Sequence, residues 1–179
     1  QGVPVLFGAS AQELLVEGDR VVGARITHAG RTRRIKARRG VVIATGGYGH
    51  NARLRQQFMP TPTPSHTVAC ASNTGDGIEL GLRHGATVQP ELQGTGAFWT
   101  PVSVTRRADG SAGVFPHLSL DRAKPGLIAV NGAAQRFVNE GCSYHDFVQA
   151  MYAAHASAPS IPAYLICEKD FVARYGLGA

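Results

Sequence analysis

The stretch Gly40-Val41-Val42-Ile43-Ala44-Thr45-Gly46-Gly47 constrains the fold more than any other. Four consecutive apolar residues leave no polar face, so this segment is predicted to be a buried strand covered on both sides. The glycine pair that follows carries no Cβ, which lets another backbone or a flat ligand approach closely. A plain buried strand ending in a tight turn satisfies the same pattern.

The residues before it form a series of short apolar runs separated by polar glycine turns. Residues 3–7 read as a strand, broken by Gly8-Ala9-Ser10. Residues 11–16, 21–26 and 32–37 follow, with turns at Glu17-Gly18-Asp19-Arg20 and Ala29-Gly30. Such spacing predicts an antiparallel meander.

Beyond the glycine pair the pattern changes. Met59-Pro60-Thr61-Pro62-Thr63-Pro64 alternates proline and reads as a stiff, extended linker and a candidate domain boundary. Residues 78–84 have helical character. Asn73, Thr74 or Asp76 can cap the start and Gly85 can close the end. A helix start there turns free backbone N–H groups outward, toward an electron-rich group or toward its own cap. Residues 91–121 are rich in turns and carry Phe98, Trp99, Phe115 and His117, so irregular loops are expected. Residues 126–132 read as a strand and turn, and residues 136–140 as a second strand that pairs with it in a hairpin. Residues 143–154 have helical spacing, with Phe147, Val148, Met151 and Tyr152 on one stripe and Ser143 as cap. A further buried strand is expected over 163–167, then a short helix through Phe171, Val172 and Tyr175.

Composition excludes several classes. The chain has 179 residues, 44% of them hydrophobic, but no run of the length a membrane span needs. Cys70, Cys142 and Cys167 are scattered, and the histidines show no metal-ligand spacing, so a metal site and a disulfide framework are not expected. The cysteine usage reads as reduced and cytoplasmic. No G-x-S-x-G elbow is present. The net charge of +6 owes much to Arg31-Thr32-Arg33-Arg34-Ile35-Lys36-Ala37-Arg38-Arg39. No aromatic residue interleaves with these cations to stack bases, so a solvated basic strand pair is the favoured reading over nucleic-acid binding. The absence of an initiator Met points to a chain cut from something longer.

Three segments taken together resemble one family. The segment 41–48, ending Ala44-Thr45-Gly46-Gly47-Tyr48, resembles the "ATGG(F/Y)" strand of two-domain flavoproteins. Thr74-Gly75-Asp76-Gly77 resembles their "TGDG" turn. Asn131 with Arg136-Phe137-Val138-Asn139-Glu140 resembles their "N…G(K/R)RFVNE" segment. Order and spacing are similar to those of the FAD-dependent fumarate reductase and succinate dehydrogenase flavoprotein superfamily, across nearly the whole chain. The resemblance implies an α+β (mixed α/β) fragment of a two-domain FAD enzyme. Residues 1–49 would be the end of an FAD domain. Residues 50–179 would be most of the capping, substrate-side domain and its return to the FAD domain.

The same resemblance assigns roles. Thr45, Gly46, Gly47, Thr74, Gly75 and Asp76 would lie near the flavin, and Ala11 would touch its adenine side by backbone. The arginine of the fumarate reductase pattern "NE-x-x-x-RD" is absent. Asn139-Glu140-Gly141-Cys142-Ser143-Tyr144-His145 is instead similar to the 3-ketosteroid dehydrogenases, where a tyrosine at this place helps remove a proton next to a ketone. The stretch Phe98-Trp99, standing where the fumarate enzymes carry a histidine, favours an apolar ketone over a dicarboxylate. Ser119-Leu120-Asp121-Arg122 stands near their "TEAVR" element without clearly matching it. A phenol has a reference pKa of about 10 and needs help to act as a base. Tyr144 or His145 would carry the proton, but neighbours on a helix do not face the same way. A packed aromatic and a solvated helix-start residue are the plain alternatives. Fumarate or succinate chemistry, and a non-catalytic interaction module, are the competing functions. The chain lacks the phosphate-cradling G-x-G-x-x-G, so by itself it is expected neither to retain FAD nor to be active.

Overall fold

The computed structural model describes residues 2–89 and 100–178, apart from the side chain of Ser119. The chain divides into two compact units, residues 1–48 with 73–88, and residues 49–72 with 89–179. Helices and strands are mixed in short elements.

The first unit carries the expected meander. Strands β1 (Ala9–Glu17), β2 (Arg20–His28) and β3 (Arg31–Lys36) form one antiparallel sheet in the order β1-β2-β3. Ala29 and Gly30 both hold positive φ, 50° and 72°, the geometry of a two-residue turn whose twist matches its strands. Leu14 and Ile26 are the buried side chains of the sheet. The edge strand β3 is exposed throughout, and its Arg31, Arg33, Arg34 and Lys36 blunt an edge that would otherwise invite pairing. A register shift between Ala11 and Glu13 marks a bulge in β1. Helix α1 (Ala52–Phe58) belongs to the second unit, and helix α2 (Asp76–Leu82) returns to the first with Leu80 buried.

Two expected strands are not formed. Residues 3–7 lie outside any strand, with Val3 and Phe7 largely exposed. Residues 41–44 are likewise outside any strand, and Val42 is 91% exposed. A strand exists only through its ladder, and no segment among the described residues offers these two runs a partner.

The second unit begins with α1, capped by the Asn51 side chain, which accepts from the Leu54 amide at 3.0 Å. The proline stretch 59–64 is packed into this unit and does not divide the two. Arg55 Nη2 donates to the Pro64 carbonyl, and the Tyr152 hydroxyl donates to the Pro62 carbonyl at 3.0 Å. Strands β4 (Val102–Arg106) and β5 (Ala112–Pro116) pair antiparallel where loops were expected. The turn between them is built by Asp109, which accepts from the Ser111 amide and hydroxyl. Phe98 and Trp99 lie outside the described residues.

Helix α3 (Ser119–Arg122) leads to β6 (Leu127–Val130), which pairs with β7 (Tyr164–Cys167). The expected hairpin between β6 and residues 136–140 is reduced to a single bridge, Val130 with Arg136. The reason is chemical. Asn131 Oδ1 accepts from the Ala133 and Gln135 amides, which curls the chain into a tight loop. The Glu140 carboxylate then accepts from the Ala129 amide at 2.8 Å, taking a donor that a neighbouring strand would have used. Strand β7 is only half buried, with Tyr164 55% exposed, where a fully buried strand was expected. Helix α4 (Tyr144–His155) is capped by Ser143, whose Oγ accepts from the Asp146 amide, and α5 (Lys169–Tyr175) closes the unit. Leu54, Leu127, Ala129, Val130, Phe147 and Phe171 are its buried apolar side chains among the described residues. Among the described residues no helix is long and apolar enough to cross a membrane, and no cluster of His, Cys, Asp and Glu could hold a metal ion.

Candidate active site

The candidate residues fall into two constellations, one in each unit. In the first unit the two glycine bends meet. The Gly75 amide donates to the Gly47 carbonyl at 3.1 Å, tying the end of the Ala44-Thr45-Gly46-Gly47 segment to the start of α2. Glycine is required on both sides of this junction. At Gly46, φ is +81° and an added Cβ would lie 2.6 Å from Asn73 Oδ1. At Gly77, a Cβ would collide with Thr45 Oγ1 and Ile43 Cγ2, so only glycine lets the helix lie against the segment. Gly47 differs: an added Cβ there would meet nothing, and residues 41–47 are exposed. The main chain is thus left open at Gly47, beside the junction.

The start of α2 is not capped as the sequence indicates. Gly75, at φ +82°, occupies the cap without a side-chain hydrogen bond. Thr74 Oγ1 instead donates to Asp76 Oδ1 at 2.8 Å, which steers an exposed carboxylate. Asp76 and Glu79 already place negative charge on the first turn, so this helix start is suited to a hydrogen-bonding neutral group more than to an anion. Ala11 is exposed on β1, opposite Ile26 and directly before the bulge.

In the second unit, Tyr144 and His145 open helix α4, both half-buried. His145 Nε2 lies 3.1 Å from Gln149 Nε2, one turn along the same helix. The chain before them is held by side chains that sequence reasoning did not single out as functional. Arg122 is fully buried and donates through all three of its nitrogens to main-chain carbonyls. Nε reaches His117 O at 3.1 Å, Nη1 reaches Glu140 O, and Nη2 reaches Cys142 O at 2.8 Å. Its guanidinium also lies 4.7 Å from the centre of the Phe147 ring. His117 Nδ1 lies 2.6 Å from Asp121 Oδ2, and Asp121 Oδ1 is buried with no hydrogen-bond partner among the described residues.

Glu140 ties the loop to β6. It accepts from the Ala129 amide and from Arg136 Nε and Nη2, at 2.9 and 2.5 Å. Burial raises its pKa, but the Arg136 hydrogen bonds, the Ala129 amide and the Arg136 charge outweigh burial and hold the carboxyl below its usual range. The "RFVNE" segment was legible as a motif. Its carboxylate's use in place of a ladder was not.

A family model described as the FAD binding domain matches residues 1–175. The chain belongs to this FAD binding domain family. It is 36% identical to a 3-oxosteroid 1-dehydrogenase of Mycolicibacterium smegmatis, over 97% of this chain and 31% of that protein. It is 32% identical to a 4-oxocyclohex-2-ene-1-carboxylate 5-dehydrogenase of Sinomonas cyclohexanicum, over 99% of this chain and 30% of that protein. Among solved structures it is similar to a 3-ketosteroid delta1-dehydrogenase from Sterolibacterium denitrificans in complex with 1,4-androstadiene-3,17-dione. That likeness has a TM-score of 0.78 and 34% identity, over 95% of this chain and 30% of that one. The chain thus spans about a third of the length of the relatives it matches.

Proposed function

We propose that the protein carrying this chain is an FAD-dependent oxidoreductase that desaturates a carbon–carbon bond next to a ketone. The observation that carries this reading is the junction of the two glycine bends by the Gly75-to-Gly47 hydrogen bond, beside open main chain at Gly47. That surface fits a planar ring. Thr45, Gly46 and Gly47 would border the flavin from one bend and Thr74, Gly75 and Asp76 from the other, with Ala11 toward the adenine. When bound, the flavin supplies the acceptor for a hydride.

Residues 1–49 are assigned to the FAD side and 50–179 to the capping side, with a return to the FAD domain. The grouping of residues 73–88 with 1–48 supports such a return. Tyr144 is assigned as the base that takes the proton from the carbon next to the carbonyl, with His145 as the alternative carrier. Once the Tyr144 hydroxyl has passed its own proton on to solvent, its oxygen takes the proton while a hydride leaves the adjacent carbon for the flavin, and a carbon–carbon double bond forms. The substrate class is an apolar ketone, which the 3-oxosteroid 1-dehydrogenase relative supports.

The test is spectroscopic. The flavoprotein carrying this chain is mixed anaerobically with 4-androstene-3,17-dione, or with succinate, and flavin bleaching is followed. Bleaching by the ketosteroid is expected, and bleaching by succinate alone reverses the assignment. Tyr144→Phe is expected to lower turnover with the ketosteroid by about 10²-fold or more, the range of a positioned acid or base. Unchanged turnover removes Tyr144 from the mechanism.

A further inference from the structure

We infer that Arg122 is a positioning residue for Tyr144, a role that rests on the assignment of Tyr144 above. A buried cation is retained only where its donors are satisfied, because desolvation is otherwise too costly. Arg122 is fully buried, and the groups that meet its three nitrogens are carbonyls, all neutral. Two of them, Glu140 O and Cys142 O, stand four and two residues before Tyr144. The third, His117 O, lies on the run into α3.

One side chain therefore pins the run into α3 to the loop that delivers α4. The Phe147 ring, one turn into α4, packs against the same guanidinium. The clamp grips α4 from both sides of its first residue, through the loop before and the ring after. The Ser143 cap and the Cys142 amide bond to Asn139 O complete the approach. A planar fork can meet three separated carbonyls at once, whereas an ammonium is a single point and cannot. Displacements on the order of 1 Å at a reacting group cost on the order of 10²-fold in rate, so a loosened clamp acts on turnover through Tyr144.

The test uses the FAD-loaded protein, with 4-androstene-3,17-dione and an electron dye as the probe assay. Arg122→Lys is expected to lower kcat by about ten-fold or more and to leave KM within about two-fold. Amide hydrogen exchange, read without substrate, is expected to quicken at residues 142–147. The deciding measurement is a double-mutant cycle with Tyr144→Phe. In the Tyr144→Phe background, Arg122→Lys is expected to change kcat by less than about two-fold, because the group it positions is gone. Full additivity, or a wild-type kcat in folded Arg122→Lys, overturns the inference. If Arg122→Lys yields no folded flavoprotein, Phe147→Leu, which removes the ring under the guanidinium and keeps the three hydrogen bonds, decides through the same cycle. A kcat loss that vanishes with Tyr144→Phe supports the clamp, and an additive loss or none overturns it. If Tyr144→Phe alone leaves turnover unchanged, the assignment of Tyr144 fails first, and this role for Arg122 falls with it.

Discussion

At the residue scale, Glu140 shows how one side chain can decide a local topology. Its carboxylate substitutes for a strand at the Ala129 amide, and Ala129 itself has no exposure to solvent. Glu140→Ala leaves that amide without its acceptor, and such an orphan costs about 1–3 kcal/mol. The loss is expected in denaturant melts of the flavoprotein carrying the chain, and an unchanged midpoint would refute it. Glu140→Gln keeps an acceptor for the amide, so its loss should be smaller. The pH dependence follows from the direction of the shift. The folded carboxyl titrates below its usual range, so its contribution is present above the unfolded value, about pH 4.3 for Glu, and fades as pH falls through the folded one. Glu140→Gln should flatten the stability curve below about pH 4.3, and an acid limb identical to the wild type's would contradict the pairing with Arg136.

At the element scale, the decisive contact is helix against segment. Helix α2 reaches residues 43–45 only because position 77 has no Cβ. Gly77→Ala forces either the helix or the segment to shift, since both obstructing groups are branched side chains close to the backbone. Overpacking of this kind costs about 1–3 kcal/mol, although alanine is otherwise the better helix former. The bends would part, so the variant flavoprotein is expected to hold FAD more weakly. Retention of flavin through dialysis measures this directly, and wild-type retention with wild-type stability would show that the contact is dispensable. The edge strand β3 raises a contrasting point. Its exposed cations need no ligand to explain them, because a charged edge resists unwanted pairing.

At the scale of the whole molecule, the chain contains no pyrophosphate cradle of the G-x-G-x-x-G type. Residues 1–179 produced alone are therefore expected to purify without bound flavin, and a yellow preparation with an FAD spectrum would overturn this. The apolar run 41–43 is exposed, and none of the described residues pairs with it. Local pattern predicted a buried strand there, and the structure leaves the run exposed and outside any strand.

Much of what proved local was written in the sequence. The meander turns, the Ser143 cap of α4, the strand at 127–130 and the two glycine bends all follow from short-range chemistry: φ freedom, side-chain caps and alternation of polar and apolar residues. Tertiary structure decided the partners. It joined β6 to β7 in place of residues 136–140, paired β4 with β5 across a stretch that looked irregular, and packed the prolines of 59–64 against Arg55 and Tyr152. It also turned Arg122, one residue in an unremarkable four-residue helix, into a buried clamp. Which groups a residue can bond is fixed by its own chemistry. Which carbonyls stand within reach depends on chain segments many residues away, and that no local pattern encodes.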